Sequence, residues 1–380
     1  MYKWTLIVLV VGALFANSGN AQTTLNPDIS LLGQISAFTH NDGDRPLERN
    51  KFNLTSPNME LIATGYLNPY ARATGVLSWE GENNAEVEEL YATVERGLPL
   101  GANLRVGKSL LEFGRLNPTH AHAYSFIKRP LPHEALFGDE GLNDMAIRGS
   151  FLLPTGNAYT ELMVGLLKGD IFAPNEQAQE SDVAEEEAGE ETESRPDLGF
   201  FGRLATSFAV SESAELALGG SVLNAVHGFA PDAEDETVGN PEQLRSWLIG
   251  GDLKYKYRPD RYTTLQIEAE GIVRIDGQGT GNSNSTSSGA YGYLDYRFHQ
   301  RYNFGGIVEW VRIETPTESE TATTQTDTWR LGLFVGWAPI EETSLLRLVG
   351  HWTEPENSDG YWELTLQFVF SLGPHQPHNF

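Results

Sequence analysis

The sequence predicts an all-β fold, a transmembrane antiparallel β-barrel of about 16 strands with short turns on one rim and long loops on the other. Period-two alternation recurs along the chain, which is the signature of half-buried strands. The connections alternate between short and long, so one rim is built differently from the other. No run of 18 or more apolar residues follows Phe15, which leaves strands as the means of crossing a bilayer.

Residues 1–21 read as a secretory signal peptide: Lys3 gives a positive start, Trp4 to Phe15 form an apolar run, and Gly19-Asn20-Ala21 is a small-x-small cleavage site. Residues 22–380 then read as one barrel. The chain has no cysteine, which excludes a disulfide framework and thiolate metal sites. Its formal net charge of −26 argues against nucleic-acid partners.

Strands are expected in order at 30–38, 58–66, 71–80, 86–95, 101–109, 145–153, 158–167 and 198–209. Eight more follow at 214–223, 245–257, 262–274, 288–298, 301–313, 328–338, 343–353 and 361–371. The third, ARATGVLSWE, sets Ala71, Ala73, Leu77 and Trp79 against Arg72, Thr74, Ser78 and Glu80. In 262–274, Leu265, Ile267, Ala269 and Val273 oppose Thr264, Gln266, Glu268 and Glu270. The last strand sets Trp362, Leu364, Leu366, Phe368 and Phe370 against Glu363, Thr365 and Gln367, with only Val369 out of place.

Even-numbered strands end in short turns such as LNPY, PTGN, SES and HQ. Odd-numbered strands are mostly followed by long connections, at 39–57, 110–144, 168–197, 224–244, 275–287 and 314–327. Soluble sandwiches, the main alternative, have no reason to sort loops by parity. Tryptophans and tyrosines gather at the apolar-face strand ends, Trp79, Trp247, Tyr257 and Trp337 among them, where a headgroup layer would hold them. The greasy face is therefore expected outward, toward lipid, and the polar face inward. Closure is the one way a sheet satisfies all its backbone groups in hydrocarbon.

That facing makes Arg72, Arg105, Lys254, Lys256, Arg297, Arg330 and Arg347, with Glu268, Glu270, Asp295, Glu309 and Glu363, the pore-lining candidates. Glu89 and Asp252 share the same face. Both signs are present in similar numbers, and rings of charge set ion preference in pores. The net acidity leans the expectation toward cations. Segment 168–197 is the strongest charge run, with eleven acids against Lys168 and Arg195; a solvated extracellular loop tip is the ordinary reading.

The segment GKSLLEFGRLNPTHAHAYSFIKRPLPHEALFGDEGLND, residues 107–144, resembles a family of porin-like bacterial outer-membrane proteins. NPYARA at 68–73, AEVEELYAT at 85–93 and the ending SLGPHQPHNF carry the same resemblance. Members are often labelled zinc-regulated TonB-dependent outer-membrane receptors and are similar to phosphate-selective porin O/P barrels. The receptor part of that label does not suit this chain. Such receptors need an N-terminal plug and about 22 strands, whereas the first strand here follows the predicted cleavage site within ten residues.

The resemblance implies a channel for passive diffusion of small hydrophilic solutes or ions, located in the outer membrane of a Gram-negative bacterium. Its partners would be outer-membrane lipid, lipopolysaccharide and the solutes themselves, with a homotrimer as the assembly to test for; no cofactor is expected. By likeness to general porins, loop 110–144 is the constriction candidate, carrying Glu112, Arg115, His120, His122, Lys128 and Arg129. Imidazole and carboxylate suit divalent metals, so His120, His122 and His133 are weak metal candidates against the plainer reading of histidines hydrogen-bonded within a packed loop.

Two other classes stand beside the channel. A structural or adhesive barrel with a blocked lumen has the same strands. An outer-membrane hydrolase would need a catalytic cluster near the long-loop rim, where His351 and Glu363 could pair, although no GxSxG or HExxH motif occurs. The spaced glycines of GQGTGN at 277–282 precede no helix and carry no nucleotide-binding meaning.

Overall fold

The computed structural model describes residues 27–81, 83–138, 140–169, 171–172, 198–229, 243–277, 284–316, 323–340 and 343–373. The signal peptide, most of the acidic segment 168–197, the GQGTGN run beyond Gly277 and the tail histidines His375 and His378 lie outside them.

Sixteen long strands and one two-residue strand form a single sheet. In order they are β1 (Asp28–His40), β2 (Asn53–Leu54), β3 (Asn58–Asn68), β4 (Ala71–Glu80), β5 (Glu86–Val94), β6 (Asn103–Leu110), β7 (Asn143–Leu153), β8 (Tyr159–Leu167) and β9 (Gly199–Ser211). They continue as β10 (Ala214–Phe229), β11 (Gln243–Tyr257), β12 (Thr264–Asp276), β13 (Ser285–Phe298), β14 (Tyr302–Pro316), β15 (Thr323–Ile340), β16 (Ser344–Pro355) and β17 (Tyr361–Leu372). Neighbours pair antiparallel throughout, and the sheet closes where β1 meets β3 on one side and β17 on the other. The short β2 extends the β3 side of β1 at Ala37 and Phe38.

Each predicted strand has its counterpart. Only the ends move: β10 and β15 run to 16 and 18 residues, longer than expected, and β10 passes an irregularity at Val226/Gly228 on the way. The short two-residue β2 and a helix within the loop after β6 were not expected.

Facing follows the predicted parity. In β17, Trp362, Leu364, Leu366 and Phe368 are exposed on the outer wall, whereas Glu363, Thr365, Gln367 and Val369 are buried inside. On β15 the outer residue Leu333 is 74% exposed while its inward neighbour Phe334 is 2% exposed. A soluble domain does not leave such a continuous apolar surface to water, so the outside of this barrel is built for hydrocarbon. At the usual strand spacing and tilt, 16 strands give a backbone diameter of about 30 Å, wide enough for a folded loop and a water path beside it.

Candidate functional site

After β6 the chain turns into the barrel instead of away from it. Gly107, at φ +135°, permits the start of that change, since a Cβ there would lie 2.2 Å from the Leu90 carbonyl oxygen. The loop's neck is closed by Asn117, which donates to the carbonyls of Leu111 (2.8 Å) and Leu142 (3.0 Å) and accepts from the Leu142 amide (2.9 Å). Beyond the neck the loop carries a one-turn 3-10 helix at Ala121–Ala123 and a short helix α1 (Leu131–Phe137). Pro132 in the first turn and Gly138 at the end, φ +87°, delimit α1 in the usual way.

Apolar side chains of this loop pack on apolar residues that face inward from the wall. Leu111, Phe113, Leu136, Phe137 and Leu142 meet Phe201, Leu223, Leu248, Ile272 and Val311. Leu116, Tyr124 and Phe126 meet Tyr291, Tyr293, Ile307, Phe334 and Val349. Burial pushes the Tyr124 phenol up to about 12, so it behaves as a neutral ring. The inward face is thus polar only in part, and the expected inward polar face holds away from the loop's footprint. Where the loop docks, the wall is dry.

Polar contacts fix the loop to strand after strand. The Gly114 amide donates to Ser221 Oγ (3.1 Å) on β10, and Arg115 pairs with Asp252 (2.7 Å) on β11. His133 reaches Glu270 (3.3 Å) on β12, and Ser125 donates to Asp295 (2.8 Å) on β13. On β14 and β15, Glu309 accepts from the Leu131 amide, while Arg330 donates to Glu309, to Glu134 (2.9 Å) and to the Arg129 carbonyl (2.7 Å). Arg347 on β16 donates to the His122 carbonyl, and Lys128 pairs with Glu363 on β17.

The twelve wall candidates therefore divide. Glu270, Asp295, Glu309, Arg330, Arg347 and Glu363 are buried and contact the loop or its partners; Arg347 is only 1% exposed. Arg105, Lys254, Lys256, Glu268 and Arg297 instead line a vestibule of about 800 Å³ beneath the loop. Arg72 faces the same interior from β4, bonded to Thr64 (3.0 Å). Of the loop candidates, Glu112, Arg115, His120 and His122 also border the vestibule, while Lys128 and Arg129 do not. Its lining holds six acids (Asp28, Glu89, Glu112, Glu161, Glu215, Glu268) and six bases (Arg105, Arg115, Arg203, Lys254, Lys256, Arg297), so it is electrically balanced.

Several of these groups were absent from the sequence reading. Arg148, which contacts Glu112 and the Leu110 carbonyl, shares β7 with Asp144, and Arg203, which grips Asp252 at 2.6 and 3.1 Å, is the one charged residue of β9. Their inward parity was the available signal. Glu60 was also legible, on the face of β3 that carries Ile62 and Thr64.

The histidines separate into two places. Glu60, His120 and His122 bring one ligand atom each within 4.8 Å of one another. The two imidazoles lie nearly parallel, ring centres 5.6 Å apart. His133 stands elsewhere, against Phe137 and Tyr291. At the long-loop rim, His351 and Glu363 are register partners, but the Glu363 carboxylate is taken by Lys128 (2.5 Å) and Arg45 (2.8 Å). Among the described residues no hydrogen bond joins that histidine to that acid.

No family model matches the chain. A curated relative, an uncharacterized protein of Aquifex aeolicus, is 29% identical over 321 residues; the match takes in 75% of this chain and 64% of that longer protein. Among solved structures, OmpT of Vibrio cholerae, an outer-membrane protein, superposes with a TM-score of 0.57 at 8% identity, covering 93% of this chain and 100% of that one. An anion-selective porin from Comamonas acidovorans gives 0.55 at 9% identity over 91% and 100% of the two chains. OprB of Pseudomonas putida gives 0.51 at 11% identity over 97% of each. The chain has the fold of a porin-like outer-membrane β-barrel.

Proposed function

We propose that this barrel sits in the outer membrane of a Gram-negative bacterium and passes small hydrophilic solutes or ions by diffusion, through a lumen narrowed by the loop between β6 and β7. The observation that carries this reading is the vestibule: an 800 Å³ space lined by charges of both signs, inside a closed wall whose outer face is apolar. Barrels of 16 to 18 strands are wide enough to hold an aqueous channel. The even charge count of the lining argues for weak ion selectivity, and the excess of acids elsewhere tilts it no further than mild cation preference.

Reconstitution in planar bilayers tests this. Discrete conductance steps and a reversal potential close to zero in a tenfold salt gradient are expected; a reversal potential near the ideal value for either ion would refute balanced lining. Complete absence of steps would instead favour the second reading, a structural or adhesive barrel, which is supported by how much of the lumen the loop fills. The His351–Glu363 pair that the hydrolase reading named is not formed among the described residues, since Lys128 and Arg45 occupy Glu363. Three copies are the assembly we assign to the membrane form, as OmpT of Vibrio cholerae has been described in a trimer form. Crosslinking in detergent, giving a ladder that stops at three, checks it.

A further inference from the structure

We propose that the loop carries a binding site for one divalent transition-metal ion, held by Glu60, His120 and His122. His122 Nδ1 lies 3.0 Å from Glu60 Oε2, and His120 Nδ1 lies 3.8 Å from the same oxygen. Tetrahedral zinc with bonds of about 2.0–2.1 Å separates its ligand atoms by roughly 3.3 Å, so small side-chain rotations bring all three to bonding distance. Two imidazoles and one carboxylate suit Zn²⁺ and its first-row neighbours far better than Ca²⁺ or Mg²⁺.

Three further features belong to a built site. Glu89 Oε2 lies 3.3 Å from His120 Nε2 while Glu89 Oε1 accepts from the Leu110 amide at 3.0 Å, so the carboxylate orients the ring from behind, as outer-sphere carboxylates do for metal-bound histidines. Glu88 Oε1 lies 3.1 Å from His120 Nδ1 and adds a second carboxylate beside that ring. That both neighbours on one strand reach the same ring follows from a bulge: Val76 pairs with Glu89 and Leu77 with Val87, so Glu88 is the extra residue, turned from its expected outer position. Three carboxylates around two imidazoles leave an excess of negative charge that a dication neutralises.

The ion would tie the loop to β3 and β5 at the edge of the vestibule, which His120, His122 and Glu89 border. Loop position, and with it the width of the water path, then depends on metal supply.

Refolded full-length protein, dialysed against ZnCl₂ and measured for bound metal, should retain one zinc per chain. Glu60→Gln and His122→Ala should each weaken retention at least tenfold, while His133→Ala leaves it unchanged; heat-modifiable gel migration confirms that each variant is folded. Cobalt provides a readout on the unaltered chain, since Co²⁺ bound by imidazole and carboxylate shows visible absorption that free Co²⁺ nearly lacks. Wild-type protein that retains no zinc and gives no cobalt band overturns the site. So does a zinc ion that persists in folded Glu60→Gln and His122→Ala. Metal retention is measured without any current, so a barrel that binds zinc yet passes no ions keeps this site and sinks only the channel.

Discussion

Single positions show how strictly the barrel distinguishes its two faces. Leu366 on β17 is 43% exposed on the outer wall. Replacing it with arginine puts a charge in hydrocarbon near the midplane, at about 2–4 kcal/mol. Ser207 on β9 borders the vestibule, and arginine there should stay within roughly 0.5 kcal/mol of wild type. Urea unfolding in lipid vesicles measures both, and equal losses would contradict the facing. Arg330 is a different case. It joins Glu309 of β14 to Glu134 of the loop, so Arg330→Met leaves a buried carboxylate without its counter-charge and should cost about 3–5 kcal/mol. Inward parity was readable from the sequence for all twelve wall candidates, because alternation alone fixes it. Which of them are covered was not readable, since covering depends on contacts between residues far apart, such as Arg347 with His122.

Among the elements, the loop between β6 and β7 decides most of the behaviour. Its inward course rests on Asn117, whose side chain makes three hydrogen bonds at the neck. Asn117→Ala strands buried amide and carbonyl groups at about 1–3 kcal/mol each, which should loosen the loop more than the barrel. Expected results are larger conductance steps and faster proteolysis within 111–142, with heat-modifiable migration retained. Gly114→Ala tests the same element near its neck: at φ +63° and with Glu270 Oε1 2.0 Å from where a Cβ would lie, the loop or the Glu270 carboxylate must shift. Strands were legible because each needs only its own alternation. The helix α1 was not, because it is only seven residues long with Pro132 inside it and Pro130 just before it, and its shape is settled by packing on β13 and β14. The histidine cluster was half legible: HAH was visible, but its partner Glu60 lies about sixty residues away on β3.

For the molecule as a whole, closure and filling are separate achievements. The outer wall needs only apolar residues at one parity, and it would form with the lumen empty. Replacing residues 113–140 by a short linker should therefore leave a folded barrel with conductance raised several-fold, measured in the same bilayers as the wild type. The closing seam has a further consequence. Leu31 faces Leu372 and His40 faces Glu363, so the first and last strands zip together over ten register pairs that are more than three hundred residues apart in the chain. Until β17 is in place, β1 presents a bare edge with nothing to match it. A chain cut short before Tyr361 has two such edges and no ring, and is a substrate for chaperones and proteases rather than a smaller pore. Quality control is thereby written into the order of the strands: the membrane receives a complete cylinder or none.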